Sequence, residues 1–224
     1  MMEVYKTKKD SLHIVTFPVG DFASNCTVIF NEASKNALVI DPGFSIDPVY
    51  QLIQKNQLKV THILHTHGHF DHITSSSELK KITKAPLYLH QGDKHFYQDL
   101  TNQAGIFGYR LKIELAPIDY LLSDNQIIEF DQGSLSLKVI HTPGHSQGGC
   151  CFFTENFGYP LLIAGDTLFK QSVGRTDLPG GDFDQIVDSI KNKLFIYPDK
   201  TVVITGHGPT TTIGDEKKSN PYLT

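Results

Sequence analysis

The stretch Thr66-His-Gly-His-Phe-Asp-His72 decides the reading of this chain. His67, His69, Asp71 and His72 bring four side chains that bind metal through nitrogen or oxygen into six residues, with small Gly68 between the first two. The run follows residues 60–64, which read as a buried strand, so the ligands sit on the loop that leaves it. His67 and His69 alternate and can point to one ion, while adjacent Asp71 and His72 can serve a second a few ångströms away. A solvated histidine-rich loop accounts for one or two histidines, but not for three plus an aspartate directly after a buried strand.

Two ions need more ligands than one loop supplies, and three later segments repeat the same grammar. Leu135-Ser-Leu-Lys-Val-Ile140 runs into His141-Thr-Pro-Gly-His145, Leu161-Leu-Ile-Ala164 into Gly165-Asp166-Thr167, and Thr201-Val-Val-Ile204 into Thr205-Gly-His207-Gly-Pro209. A glycine near each ligand permits the tight turn and close backbone approach that convergence demands. The seven candidates give each ion three protein ligands and one shared carboxylate. His67, His69 and His145 hold the first ion, Asp71, His72 and His207 the second, and Asp166 bridges. Imidazole and carboxylate without thiolate suit two divalent ions, zinc first, with iron or manganese compatible. Mixed sites of this kind keep a position open for water, which makes the arrangement catalytic.

The same residues carry a family resemblance. His-x-His-x-Asp-His, a later Thr-Pro-Gly-His, Gly-Asp-Thr-Leu-Phe and a final Gly-His-Gly-Pro resemble the metallo-β-lactamase superfamily of hydrolases. Gly165-Asp-Thr-Leu-Phe169 followed by Gly174-Arg-Thr-Asp-Leu-Pro-Gly-Gly181 is similar to the glyoxalase II-like branch, the hydroxyacylglutathione hydrolases. The ending from Thr212 to Tyr222 resembles that branch's short single-domain members. The likeness runs from about Asn25 to Tyr222. It implies an α/β fold, an αββα sandwich with the metal site at one edge, and the ligand roles above.

Two departures bear on specificity. Full-length glyoxalase II has a third consecutive histidine where this chain has Gly68. It also continues into a helical domain that contacts glutathione, whereas 17 residues follow His207 here. A sister family, the mononuclear-iron persulfide dioxygenases, shares Asp-His-Ile-Thr at 71–74 and Gly-Arg-Thr-Asp at 174–177. It uses only the equivalents of His67, His145 and Asp166, so counting ligands does not separate the two activities.

At 224 residues, the chain suits a single domain over 1–224. Hydrophobic content of 39% and charged content of 20% are those of a soluble globular protein. A net charge of −4 with scattered lysine pairs argues against nucleic acid as a partner. No apolar run approaches the roughly 20 residues that span a bilayer, and the N-terminus carries no signal-peptide core. The expected location is therefore cytoplasmic, away from membranes. Cys26, Cys150 and Cys151 read as reduced thiols packed on strands.

Residues 12–17, 26–30 and 37–40 read as an opening antiparallel meander ending at Asp41-Pro-Gly43. Residues 47–55 and 75–82 read as helices, 87–89 as a short strand, and 92–99 as another helix. Further strands lie between 127 and 153, and 182–194 reads as an amphipathic helix capped by Asp182. Residues 100–123 read as the least regular stretch, either a loop whose Phe107, Tyr109 and Arg110 cover a substrate or a surface connection. Helix-then-strand units in both halves favour α/β over an all-β barrel.

The expected chemistry is attack of a metal-bridging hydroxide on a small thioester, hydroxyacylglutathione foremost, because bound water reaches a pKa near 7. Asp71 ligates the second ion and orients the hydroxide. Arg175 lies at the position where glyoxalase II has a basic residue that meets glutathione; a structural pair with Asp177 or Asp182 is the alternative. Asp41 can hold a ligand histidine from behind or cap its turn. His65 and His141 read as packed or supporting residues, and His13, His62, His90 and His95 as surface or satisfied core. A nuclease lacks room for its usual inserted domain, and a periplasmic lactamase lacks a leader and a second-site thiolate. A metal-binding module without turnover is the remaining class. Oligomeric state is not legible.

Overall fold

Strand alternation in this chain sorts apolar side chains into three layers. The computed structural model describes residues 3–224. The first sheet contains β1 (Tyr5–Lys9), β2 (Leu12–Val19), β3 (Ser24–Asn31), β4 (Asn36–Ile40), β5 (Lys59–Leu64), β6 (Leu87–His90) and β7 (Tyr120–Leu122), in that spatial order. The first four pair antiparallel, and β4 to β7 pair parallel. The second sheet contains β8 (Ile127–Phe130), β9 (Leu135–His141), β10 (Cys150–Thr154) and β11 (Leu161–Gly165). After a small hairpin of β12 (Leu168–Phe169) and β13 (Ser172–Val173), the chain adds β14 (Val202–Thr205) parallel to β11 and β15 (Thr211–Thr212) at the edge.

Parallel pairing requires crossovers, and the helices supply them. In the first half these are α1 (Asp47–Asn56), α2 (Phe70–Ile73), α3 (Ser76–Thr83), α4 (Lys94–Gln98) and α5 (Leu100–Ile106). In the second half α6 (Phe183–Ser189) continues as a π-helical turn over Ile190–Leu194, and α7 (Ile213–Ser219) closes the chain.

Ile14, Ile29, Leu38 and Leu64 of the first sheet meet Leu137, Val139, Phe152 and Ile163 of the second, forming the middle layer. Alternate residues such as Phe17, Val28 and Val39 turn the other way, onto Val49, Ile53 and Leu79 of the first-half helices. On the far side, Ile140, Leu162 and Val203 pack against Ile186, Ile190 and Ile213. The result is an αββα sandwich. The three free cysteines divide among the layers, Cys26 in the first helical layer, Cys150 in the middle and Cys151 in the last. Adjacent Cys150 and Cys151 face opposite sides of their strand, so both pack as small apolar groups.

Asp182 caps α6 by accepting the Gln185 amide at 2.9 Å, as expected. The stretch 100–123 is more regular than its sequence suggests. It opens with α5 and nearly closes with β7, leaving 107–119 and Ser123 without repeating structure. Leu100 and Ala104, four apart, are the buried face of that polar helix. Among the described residues, no helix is long and apolar enough to cross a membrane.

Candidate metal centre

β4, β5, β9, β11 and β14 all end at one edge of the sandwich, and each releases a polar residue there. β5 leads into His67 and His69, and α2 starts at once, placing Asp71 and His72 on its first turn instead of on an open loop. The β9 exit carries His145, the β11 exit Asp166 and the β14 exit His207. The loops are bound across the sandwich: Asn25 donates its side-chain amide to the Thr205 and Gly208 carbonyls, both at 2.9 Å, and the Cys150 amide reaches the Thr66 carbonyl at 2.7 Å.

All seven candidates converge. His67, His69 and His145 form one group able to hold an ion, and Asp71, His72 and His207 a second. In the first, His69 Nδ1 lies 2.8 Å from His145 Nε2. In the second, His72 Nε2 lies 3.1 Å from His207 Nε2, and Asp71 Oδ2 is 3.2 Å from the latter. Asp166 stands between them, with Oδ1 3.3 Å from His72 Nε2 and Oδ2 3.5 Å from both His145 Nε2 and His207 Nε2. Gly206 makes room for it, since a Cβ there would lie 2.0 Å from Asp166 Oδ1.

The donor set fits divalent ions on several counts. His67 Nε2, His69 Nε2 and Asp166 Oδ1 are buried without a hydrogen-bond partner, a costly state that a bound cation relieves for atoms facing it. Nitrogens of His69 and His145, and of His72 and His207, approach one another as ligands of a common ion do, while the far nitrogens of His67, His72, His145 and His207 have acceptors. His72 Nδ1 donates to Asp41 Oδ2 at 3.1 Å, His145 Nδ1 to the Arg175 carbonyl at 2.7 Å, and His207 Nδ1 to the Phe22 carbonyl at 3.1 Å. His67 Nδ1 donates to Thr66 Oγ1 at 3.0 Å, and that hydroxyl donates on to Asp41. Such bonds fix each ring's tautomer and leave the inner lone pair for metal. Asp41 thus backs His72 directly and His67 through Thr66.

Electrostatics divide the two groups. Burial, then the neighbouring His72, pushes the His67 ring well below the usual histidine range, and burial with His145 takes His69 down to about 3. Both rings are neutral donors. For His72, burial opposes the charge, but Asp166 and Asp71 outweigh it and hold the ring well above its ordinary value. Asp166 is held well below the carboxylate range by His72, against its own burial. The second group therefore carries carboxylate charge with a proton on its histidines, ready for exchange against a cation.

Several supporting residues carry no spacing signal in the sequence. Buried Asp93 accepts from the Gly68 amide, the Ser146 hydroxyl and the Gly148 amide at 2.8, 2.7 and 2.6 Å. Ser24 donates to the Asp71 carbonyl at 2.7 Å. His65 bonds the Tyr88 carbonyl and Ser76, and part-exposed His141 stacks on His90 at 4.0 Å; both lie outside the two groups. Arg175 reaches the cavity wall, but its guanidinium makes a two-pronged pair with Asp177, both bonds at 2.7 Å. The cavity, about 410 Å³, opens directly onto His69, Asp71, His145, Asp166 and His207.

Known proteins share the family and the fold. The family model for the metallo-beta-lactamase superfamily matches residues 19–207. The hydroxyacylglutathione hydrolase GloC of Haemophilus influenzae is 34% identical over 213 residues, 95% of this chain and 98% of that protein. Among solved structures, the BLEG-1 B3 metallo-beta-lactamase superposes with a TM-score of 0.84 at 36% identity, covering 93% of this chain and 98% of the other. TTHA1623 in a di-iron-bound form gives 0.80 at 32%, covering 92% and 98%.

Proposed function

The chain belongs to the metallo-β-lactamase superfamily, and from that premise we propose that it is a dinuclear metal-dependent hydrolase of small thioesters, of the hydroxyacylglutathione type. The observation that carries the reading is Asp166, whose carboxylate lies within 3.5 Å of nitrogens from both groups. A single carboxylate in contact with two ligand sets is suited to bridging two ions. Zinc is the first choice of metal, and the di-iron form of a structural neighbour makes iron a direct comparison. The Haemophilus relative's name points to thioesters.

Divalent ions held there supply Lewis acidity for a carbonyl oxygen and nucleophilic water at neutral pH, since they lower the pKa of water from about 15.7 to about 7. The chain's own residues do the rest. Asp71 holds an anionic carboxylate at the cavity wall, kept low by His72 and His207 against its burial, and accepts a proton-bearing oxygen from the substrate side. Acceptors behind His72, His145 and His207 hold the rings so that their inner nitrogens do not drift. No thiol takes part: burial keeps Cys26 and Cys150 well above the ordinary thiol range and takes Cys151 to about 11.

Metal analysis of protein loaded with zinc, iron or manganese, paired with thioester hydrolysis, tests the reading. Two ions per chain and turnover of S-lactoylglutathione or a simpler thioester are expected. One ion at saturation, with oxygen uptake on glutathione persulfide, would replace it with the mononuclear-iron dioxygenase. The expected setting is the cytoplasm.

A further inference from the structure

Beside the candidate metal centre, the cavity wall is mostly apolar. Phe22, Phe70, Phe107, Phe169, Val173 and Leu178 line it. The rings form a continuous surface. Phe22 meets Phe70 edge-on at 5.0 Å and Phe107 at 5.6 Å, Phe70 stacks on Phe107 at 5.2 Å, and Phe169 lies 6.2 Å from the His207 ring. Phe107 leaves 42% of its surface exposed at this wall, an uncompensated position for a large aromatic.

The polar groups on the wall outside the metal ligands are already engaged. Gln103 Nε2 donates to the Phe96 carbonyl at 2.7 Å and the Gly68 carbonyl at 3.2 Å. Ser172 turns its hydroxyl to the Val173 carbonyl at 3.4 Å. Arg175, the one lysine or arginine lining the cavity among the described residues, is paired with Asp177 through both guanidinium prongs. A carboxylate on the ligand would therefore meet aromatic faces with no free cation, and burying an unpaired charge is strongly unfavourable. An uncharged aryl or branched group would instead gain area and ring–ring contacts.

We propose that this wall selects thioesters whose acyl group is uncharged and apolar, arylacyl or branched-chain, over thioesters whose charged groups must enter the cavity. This rests on the thioester-hydrolase reading. The reaction is plain hydrolysis: water's oxygen bonds to the acyl carbon, the carbon–sulfur bond breaks, and the products are a carboxylate, a thiol and one proton. In this scheme the acyl group lies along Phe107 and Phe22.

Three probes test it on the metal-loaded full chain: S-phenylacetyl-N-acetylcysteamine, S-acetyl-N-acetylcysteamine and S-lactoylglutathione. kcat/KM should favour the phenylacetyl thioester over both others by about tenfold to a hundredfold, the range a hydrophobic pocket provides. Phe107→Ala should cut the phenylacetyl-to-acetyl ratio about tenfold, and Phe107→Leu should retain most of it. Because Phe107 is partly exposed, neither variant threatens the fold. Turnover that favours S-lactoylglutathione, or a ratio unchanged in Phe107→Ala, overturns the selection while leaving hydrolysis intact. No turnover of any thioester sinks the hydrolase reading, and the selection with it.

Discussion

Asp93 accepts the Ser146 hydroxyl at 2.7 Å, joining the strand-exit loop of one half of the sandwich to that of the other. The same carboxylate accepts the Gly68 and Gly148 amides, so it stands behind the loop carrying His67 and His69 and the loop carrying His145. Its side chain makes no hydrogen bond to Asp71, His72 or His207. Contact is close enough that a Cβ on Gly68 would lie 2.9 Å from Asp93, which explains a glycine between two ligand histidines.

Asp93→Ala should weaken the first ion selectively. Three buried donors lose their acceptor, at about 1–3 kcal/mol each before any rearrangement. A net loss of about 3 kcal/mol lowers Tm by roughly 6–12 °C for a domain of this size. Cobalt titration should give one site near wild-type affinity and one weakened at least tenfold. Equal weakening of both sites would show that Asp93 supports the fold as a whole, not one ligand group.

The ligand substitutions should differ in kind. His207→Ala removes a residue from one group and should leave about one ion per chain. Asp166→Ala removes the carboxylate in contact with both and should leave less than one at the same metal concentration. Elemental analysis after gel filtration distinguishes them, and identical losses would contradict the bridging role.

How much of this was legible follows from where each residue acts. His67, His69, His145, Asp166 and His207 each lie next to a glycine just after a buried strand, and Asp71 and His72 follow closely in the first of these runs, so period and punctuation announce them. Asp93 and Asn25 work by bonding backbone groups across the sandwich, a partnership that leaves no local trace. Arg175 contributes through its carbonyl to His145, which any residue type could supply. The edge strand Tyr5–Lys9 is mostly charged and polar, and α7 buries only Ile213 and Glu216, so neither shows helix or strand periodicity. Glu216 is held there by Thr211, Asn220 and the Gln171 amide, a contact set only the fold creates.

Acid should compete with the metal through His72. Its folded-state pKa is raised, because Asp166 and Asp71 outweigh burial, so the metal-free chain retains a proton there at neutral pH. Metal binding must release it, and apparent affinity should fall as pH drops through that raised value. In the metal-free chain the sign is opposite to the usual carboxylate case. The stabilisation is fully present below the unfolded histidine value of about 6.5 and is lost as pH rises through the folded one. Chelated protein should therefore lose Tm as pH rises through the raised His72 value, while loaded protein does not. Calorimetric titration in buffers of different ionisation enthalpy at pH 7 should report proton release; none would mean His72 is neutral before the ion arrives.

Arg175 and Asp177 give the sharpest test of whether the cavity offers a ligand a free cation. The Arg175 bond draws Asp177 down to about 2, so both partners are ionised at every working pH. Arg175→Ala should change neither metal content nor folding, because the alanine carbonyl still receives His145 Nδ1. It should also alter KM for S-lactoylglutathione less than threefold, since the guanidinium is not available to a ligand carboxylate. Asp177→Ala should act in the opposite direction. A freed guanidinium can grip a carboxylate with two parallel bonds, and a charge-assisted pair of that kind is among the stronger polar contacts. KM for S-lactoylglutathione should then fall several-fold with kcat nearly constant, the pattern of added uniform binding. A neutral thioester measured alongside should not improve. If Arg175→Ala alone raises KM for the glutathione thioester tenfold or more, Arg175 exchanges Asp177 for substrate, and the apolar wall is not the main selector.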